Sequence, residues 1–313
     1  MTGAAYPVLV VGDANVDLVL SGDVVPRFGQ AEQLLDSSHL VLGGSASIVA
    51  AGLARLGVPT WLAAVVGDDG FGRFTRDELA RLGVETGAVR VDADEATGIS
   101  VILSAPDDRA ILTHVGTIPL LTSADVLRAV DASRARWVHF ASPFLMPGFT
   151  AGLPALLGML RERGISTSLD TNWDPSENWA GLDEVIGLID VLLPNRAELE
   201  AIAGVLSPAS SESAGEGLAS RGPRVVVKDG AAGGWSVGAS GEVAKAPGIP
   251  VTVVDTTGAG DSFDAGYLAA LAYGIEAEEG RLRWATVAGS LSTRAAGGTA
   301  AQATLDELRE YSR

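Results

Sequence analysis

The chain has no cysteine, two lysines and three histidines among its 313 residues. Without cysteine there are no disulfides, no thiolate nucleophiles and no Cys-ligated zinc or iron–sulfur sites, and a reduced cytoplasm is the expected setting. The two lysines, Lys228 and Lys245, follow Val and Ala. A Walker A loop needs Gly-Lys before Ser/Thr and is therefore absent. Gly258-Ala-Gly260 comes closest to a dinucleotide fingerprint but continues Asp-Ser-Phe, so no Rossmann dinucleotide site is expected. Nor is a serine nucleophile elbow. His39, His114 and His139 are scattered in strand-like segments and are read as structural. Basic charge is scarce, with 22 Lys+Arg against 39 Asp+Glu and a net charge of −17. That balance disfavours nucleic acid and anionic membrane as partners. No apolar run reaches the ~18 residues of a membrane helix. The start, MTGAAYPVLVVGD, lacks a basic n-region, so no signal peptide is expected.

What is present is a hydrophobic content of 47% with 19% charged residues, enough to bury a large core. Strand-like and helix-like patterns alternate. Val8–Val11 is a continuous apolar run, and Trp61–Val66 follows a helical stretch at 46–56 with Ser45 or Ser47 as its expected N-cap and Gly57 just beyond its end. A second helix is expected at 71–82. Later strands are expected at 137–141, 165–170, 191–193 and 224–228. Later helices are expected near 151–163, 195–203, 211–220, 259–273, 281–295 and 304–311. The alternation predicts an α/β domain with a largely parallel central sheet.

Two stretches interrupt the rhythm. Residues 13–42 carry Asp17–Leu20 and His39–Leu42 around a polar middle, and 97–115 reads as a hairpin turning at Pro106–Arg109. They form either a small β lid or an edge extension of the main sheet. The first of these readings divides the chain into a core (1–12, 43–96, 116–313) and a lid (13–42, 97–115).

The most informative segment is Val251-Thr-Val-Val-Asp-Thr-Thr-Gly-Ala-Gly-Asp261-Ser-Phe-Asp-Ala-Gly-Tyr-Leu. A β run leads through a glycine-rich turn into an apolar helix. The N–H groups of Gly258, Ala259 and Gly260 at that helix start, with its macrodipole, make an anion site without a basic side chain. Asp261 in the first turn would repel a bound phosphate. Its presence makes sense if it takes a proton from a hydroxyl that attacks that phosphate; the plain alternative is that it complements the helix dipole.

Asp255-Thr-Thr-Gly-Ala-Gly-Asp-Ser-Phe resembles the C-terminal signature of the ribokinase-like PfkB carbohydrate kinases. Gly43-Gly44 with the Ala-Gly-Leu-Ala-Arg-Leu-Gly57 helix, Val66-Gly-Asp-Asp-Gly-Phe-Gly72 and Asn195-Arg-Ala-Glu198 resemble other family motifs, in order and over nearly the whole chain. The resemblance implies a three-layer α/β/α core with a β lid, and ATP- and Mg²⁺-dependent phosphorylation of a sugar hydroxyl. It implies Asp261 as general base, and Gly258, Ala259 and Gly260 as the anion hole. Asn195 and Glu198 would organise Mg²⁺ through water, an arrangement compatible with an ordinary helix cap. Lys228 and Gly230 would lie near the nucleotide. Asp255 and Thr257 resemble a monovalent-cation (K⁺) site.

Asn15, Asp17, Gly43 and Gly44 would meet the sugar. Three positions depart from the family. Ile48 stands where Asn is usual, which makes the local pocket more apolar. Ala141 falls roughly where ribokinases carry an acidic sugar ligand. Asp174 replaces the Arg that follows the Asp170-Thr-Asn172 segment in related kinases of sugar acids. These departures weaken the case for ribose and keto-sugar acids. An unphosphorylated sugar-like substrate is expected, with a nucleoside as the alternative and a non-catalytic binding paralogue as a second. A homodimer through the lid is also expected.

Overall fold

The structure, a computed structural model, describes residues 4–29, 32–105, 109–206 and 213–312. Its strands are β1 (Val8–Val11), β2 (Asn15–Gly22), β3 (Leu35–Gly43), β4 (Thr60–Gly67), β5 (Val89–Asp92), β6 (Ile99–Ser104), β7 (Arg109–His114), β8 (Trp137–Ala141), β9 (Ser166–Asp170), β10 (Val191–Leu192), β11 (Arg224–Lys228), β12 (Gly234–Val237) and β13 (Val243–Ala246). Its helices are α1 (Ser45–Arg55), α2 (Gly70–Arg81), α3 (Ser123–Ser133), α4 (Pro147–Glu162), α5 (Leu182–Val185), α6 (Arg196–Leu206), α7 (Ala214–Ala219), α8 (Ala259–Ala272), α9 (Glu278–Ser292) and α10 (Leu305–Tyr311).

The four residues of β1 are fully buried, which requires cover on both faces of its sheet. Val8 and Val10 pack into a core supplied by α1, α8 and α9, while Leu9 and Val11 face a second core supplied by α3, α4 and α6. The result is three layers. The main sheet runs β13-β12-β11-β10-β9-β8-β1-β4-β5. It is parallel from β11 to β5, and β12 and β13 add an antiparallel edge.

Residues 13–42 and 97–115 do not extend that sheet. They build a separate mixed sheet, β3-β2-β6-β7, in which β2 pairs in parallel with β6 and antiparallel with β3. This smaller sheet is the lid. The tip of its hairpin, residues 106–108, lies outside the described residues, as do positions 211–212 of the helix expected at 211–220.

One local expectation is corrected. Neither Ser45 nor Ser47 caps α1. Gly44 occupies the cap at φ 88° with no side-chain bond. The carboxylate of Asp13, more than thirty positions earlier in the chain, accepts instead from the backbone N–H groups of Ser45 (3.1 Å) and Ala46 (3.0 Å). Gly57 does follow the end of α1, at φ 78°.

Candidate active site

The glycine-rich turn sits where α8 begins. Gly258 caps the helix at φ 70°, a left-handed conformation that suits glycine, and a Cβ there would lie 2.7 Å from Cα of Gly298. Among the described residues, no acceptor engages the N–H of Gly258 or Gly260. Ala259 differs from expectation: its N–H closes the turn onto the Thr256 carbonyl at 3.2 Å. The unengaged glycine donors sit at this helix start, and Gly260 borders a cleft.

That cleft is a cavity of about 500 Å³, lined at one end by Gly260 and Gly230 and elsewhere by apolar groups such as Val251, Val253 and Phe263. It is a largely apolar slot that Gly260 borders at the start of α8.

Asp261, on the first turn of α8, is half-buried. Its Oδ1 accepts a 2.5 Å hydrogen bond from the Ser45 hydroxyl. Burial pushes its pKa up to about 7, against the Ser45 bond and Lys228, with Asp170 and Asp13 adding negative charge nearby. A carboxylate poised near neutrality is suited to proton transfer.

Through Ser45 the turn joins the lid-side residues. A Cβ on Gly44 would meet the Asp13 carbonyl at 2.7 Å and Asn15 Oδ1 at 2.8 Å, and one on Gly43 would meet Asp17 Oδ1 at 2.2 Å. Asn15 Nδ2 donates to that same Asp17 oxygen at 3.1 Å. Asn15, Asp17, Gly43, Gly44 and Asp261 are thus brought to one place, as expected. Carboxylates, an amide, a hydroxyl and glycine backbone gather there.

Asn195 and Glu198 form a reciprocal cap at the start of α6. Glu198 N–H donates to Asn195 Oδ1 (2.9 Å) and Asn195 N–H donates to Glu198 Oε2 (2.8 Å). Burial, and then Asp170, raise the Glu198 pKa to about 7. A buried carboxyl in so negative a setting suits a nearby cation. Among the described residues no cluster of three or more His, Asp or Glu could chelate a metal directly. The donor set therefore fits Mg²⁺, an ion carried mainly by phosphate oxygens and water.

Beside Gly230 at the cleft stands Lys228. Its stem lines the cleft, but its ammonium turns inward to Asp170 Oδ2 (2.7 Å) and Asp264 Oδ2 (3.1 Å). Despite burial, these carboxylates and Glu198 raise its pKa. Asp255 ties two loops together, since its Oδ1 accepts from Thr257 N and Oγ1 and its Oδ2 from Gly297 N.

The departures resolve in different ways. Ile48 is buried, and its Cδ1 fills the space that a Cβ on Gly298 would need, at 2.5 Å. It packs beneath the anion-binding turn. Ala141 is buried at the end of β8. Asp174 accepts from Ser176, Asn178 and Trp179, so it pins its own loop. His139 Nδ1 pairs with Ser168 Oγ at 2.9 Å, while Nε2 has no partner among the described residues, and burial lowers its pKa to about 4. Gly234-Trp-Ser-Val-Gly238 spells G-x-S-x-G, but it runs along β12 with Ser236 buried and bonded to Glu278, so it makes no elbow. Sequence reasoning missed Asp13, Ser45 and Asp264 as members of the site.

Comparison with known proteins identifies the family. The family model of the pfkB family carbohydrate kinases matches residues 7–305. The chain is 33% identical to a fructokinase of Klebsiella pneumoniae over 96% of this chain and 97% of that protein. It is 30% identical to a ribokinase of Bacillus subtilis, covering 97% and 98%. Its structure superposes on Arabidopsis thaliana ribokinase complexed with ribose and ATP at a TM-score of 0.84, with 26% identity and 99% of each chain covered. It matches an E. coli ribokinase II in complex with ATP and Mg²⁺ equally well, at 0.84, 25% identity and 98% of each chain. The chain belongs to the pfkB family of carbohydrate kinases and is an ATP- and Mg²⁺-dependent kinase.

Proposed function

We propose that this kinase phosphorylates a primary hydroxyl of a neutral, unphosphorylated sugar, with Asp261 as general base. The observation that carries the proposal is one carboxyl, with a pKa near 7, on the first turn of a helix whose N-terminal Gly260 borders the cleft. In its ionised form Asp261 takes the proton of the sugar hydroxyl. That oxygen then forms a bond to the γ-phosphorus of ATP as the bond to the β,γ-bridging oxygen breaks and ADP leaves. The N–H groups of Gly258 and Gly260 stabilise charge on the transferring group. Ala259 keeps the turn closed. Asn195 and Glu198 would hold Mg²⁺ through water, and the ion supplies neutralisation of the phosphates. Gly230 and the stem of Lys228 border the nucleotide. The Asp255–Thr257 loop is read as a K⁺ site that orders the turn, and activity in K⁺ against Na⁺ tests this.

Asn15 and Asp17, with backbone at Gly43 and Gly44, suit a polyol, because hydroxyls donate to carboxylates. A fructokinase and a ribokinase among the relatives support that class. A nucleoside is the alternative; Ile48, the residue that motivates it, is buried against the turns at Gly258 and Gly298. Residues 13–42 and 97–115 are read as a lid that shuts out water. Leu40 and Leu112, exposed on that sheet, are read as a contact for a second copy. Sedimentation as a monomer at micromolar concentration would end that reading.

The test is Asp261→Asn with a panel of sugars and nucleosides in an ADP-release assay. We expect a loss of ~10²–10⁴-fold in kcat with nucleotide affinity retained. Retention of more than about a tenth of kcat would sink the base assignment.

A further inference from the structure

We infer that Ser45 is the positioning residue of the catalytic base, itself fixed by the buried carboxylate of Asp13. The inference rests on the assignment of Asp261 as base and deepens it.

Three observations converge on this short path. Ser45 is the first residue of α1, and its side chain is the one hydrogen-bond partner recorded on the Asp261 carboxylate among the described residues. The Oγ–Oδ1 separation is 2.5 Å, the distance of a charge-assisted bond in which a hydroxyl donates to a carboxylate. Ser45 is itself immobilised. Asp13 lies on the loop after β1, and its two oxygens accept from the N–H groups of Ser45 and Ala46. Ser45 is buried, and Gly44 before it is hemmed by Asp13 and Asn15, so the hydroxyl has little room to turn elsewhere. The first strand thus sets the direction of a carboxylate that lies 216 positions further along the chain than Ser45.

The consequence is chemical. With Oδ1 held by Ser45, the carboxyl plane is set and Oδ2 is the oxygen left to meet a substrate hydroxyl. Donation from Ser45 also stabilises the anionic form, the form that accepts a proton. The other charged groups facing Asp261 are Asp13 from the loop after β1, Asp170 from β9, Lys228 from β11 and Asp264 from its own helix. Three of these four are carboxylates, so Ser45 opposes a setting that otherwise favours the protonated, inactive acid.

Ser45→Ala is compared with wild type, Ser45→Thr and Asp261→Asn by kcat, sugar KM, ATP KM and the pH dependence of kcat/KM. In Ser45→Ala we expect kcat to fall about tenfold or more, with ATP KM unchanged. The acid limb should move about one unit to higher pH, because the anion loses a donor. Ser45→Thr, which keeps a hydroxyl, should return the acid limb most of the way. If Ser45→Ala does not fold, Ser45→Cys makes the same comparison with a near-isosteric weak donor. An acid limb that stays in place in the hydroxyl-free variant overturns the inference, as does an equal loss in Ser45→Thr. If Asp261→Asn itself remains active, the base assignment falls first, and that outcome is distinct from a silent Ser45 beside an inactive Asp261→Asn.

Discussion

Replacing Lys228 with Met tests whether its ammonium serves the protein's interior or the nucleotide. The ammonium lies 2.7 Å from Asp170 and 3.1 Å from Asp264, on a side chain only 10% exposed, between carboxylates at 1% and 0%. Met retains most of the stem, so lost packing is a minor part of the change. The main effect is that Asp170 loses its counter-charge in the interior. The Asp264 carboxyl, held well above the usual carboxylate range by burial, still hydrogen-bonds Asp170 but carries no positive charge to replace the ammonium. Removing one member of a buried ion pair costs about 3–5 kcal/mol, a large share of the ~5–15 kcal/mol that holds a domain together.

The pH dependence follows from the same groups. Burial pushes Asp170 upward, but Lys228 and the hydrogen bonds it accepts outweigh this and hold it below the usual carboxylate range. Its stabilising effect is therefore present above the unfolded pKa and is lost as pH falls through the folded one. Without Lys228 the folded pKa rises, and the native state binds a proton that the unfolded state has released. The deficit of the variant is then greatest near pH 8 and shrinks toward pH 5. Urea unfolding at both pH values measures it, and Lys228→Met/Asp170→Leu, which also removes the stranded charge, should recover part of the loss. A deficit below about 1 kcal/mol, or one flat with pH, refutes the argument. So does unchanged stability with weakened ATP binding.

Two further outcomes are expected. Because the Asp261 pKa stands near 7, kcat/KM should fall below about pH 7 as the base takes up a proton, and a profile flat down to pH 5.5 counts against Asp261 as the base. Gly43→Ala would place a Cβ 2.2 Å from Asp17 Oδ1, so Asp17 must shift; sugar KM should rise about tenfold or more while ATP KM holds, and equal changes in both would move Asp17 out of the sugar site.

Much of the fold was legible because buried parallel strands are uniformly apolar. Trp137–Ala141 and Arg224–Lys228 were placed to the residue. What escaped were strands of four residues at the sheet edges, Val89–Asp92, Gly234–Val237 and Val243–Ala246. Their alternation is too short to stand out, and charge at Arg90, Asp92 and Lys245 hides it. The helix Ser123–Ser133 also escaped, although Thr122 and Asp125 form a capping box that a local search could have found. Local chemistry misassigned the α1 cap for a different reason. A serine at the right position is a good cap in isolation, but a carboxylate brought in by the first strand already held the donors.

The same division runs through the site. The turn at Gly258–Asp261 was legible because its residues are contiguous, whereas Ser45 on Asp261 and Lys228 on Asp170 and Asp264 join segments that only the folded sheet makes neighbours. Lys228 shows what this changes for a protein of net charge −17 that uses a polyanionic nucleotide. Of the two lysines, one is exposed on an edge strand and the other is committed to carboxylates beneath the cleft. The Lys228 ammonium is therefore paired within the protein. The N–H groups of Gly258 and Gly260 at the start of α8 have no acceptor among the described residues, and they carry no desolvated side-chain charge. On the proposed reading, phosphate binding would draw on local potential at a helix N-terminus, supplemented by the divalent ion that arrives with the nucleotide, and the global charge does not oppose it over distances beyond the ~8–10 Å reach of unscreened fields.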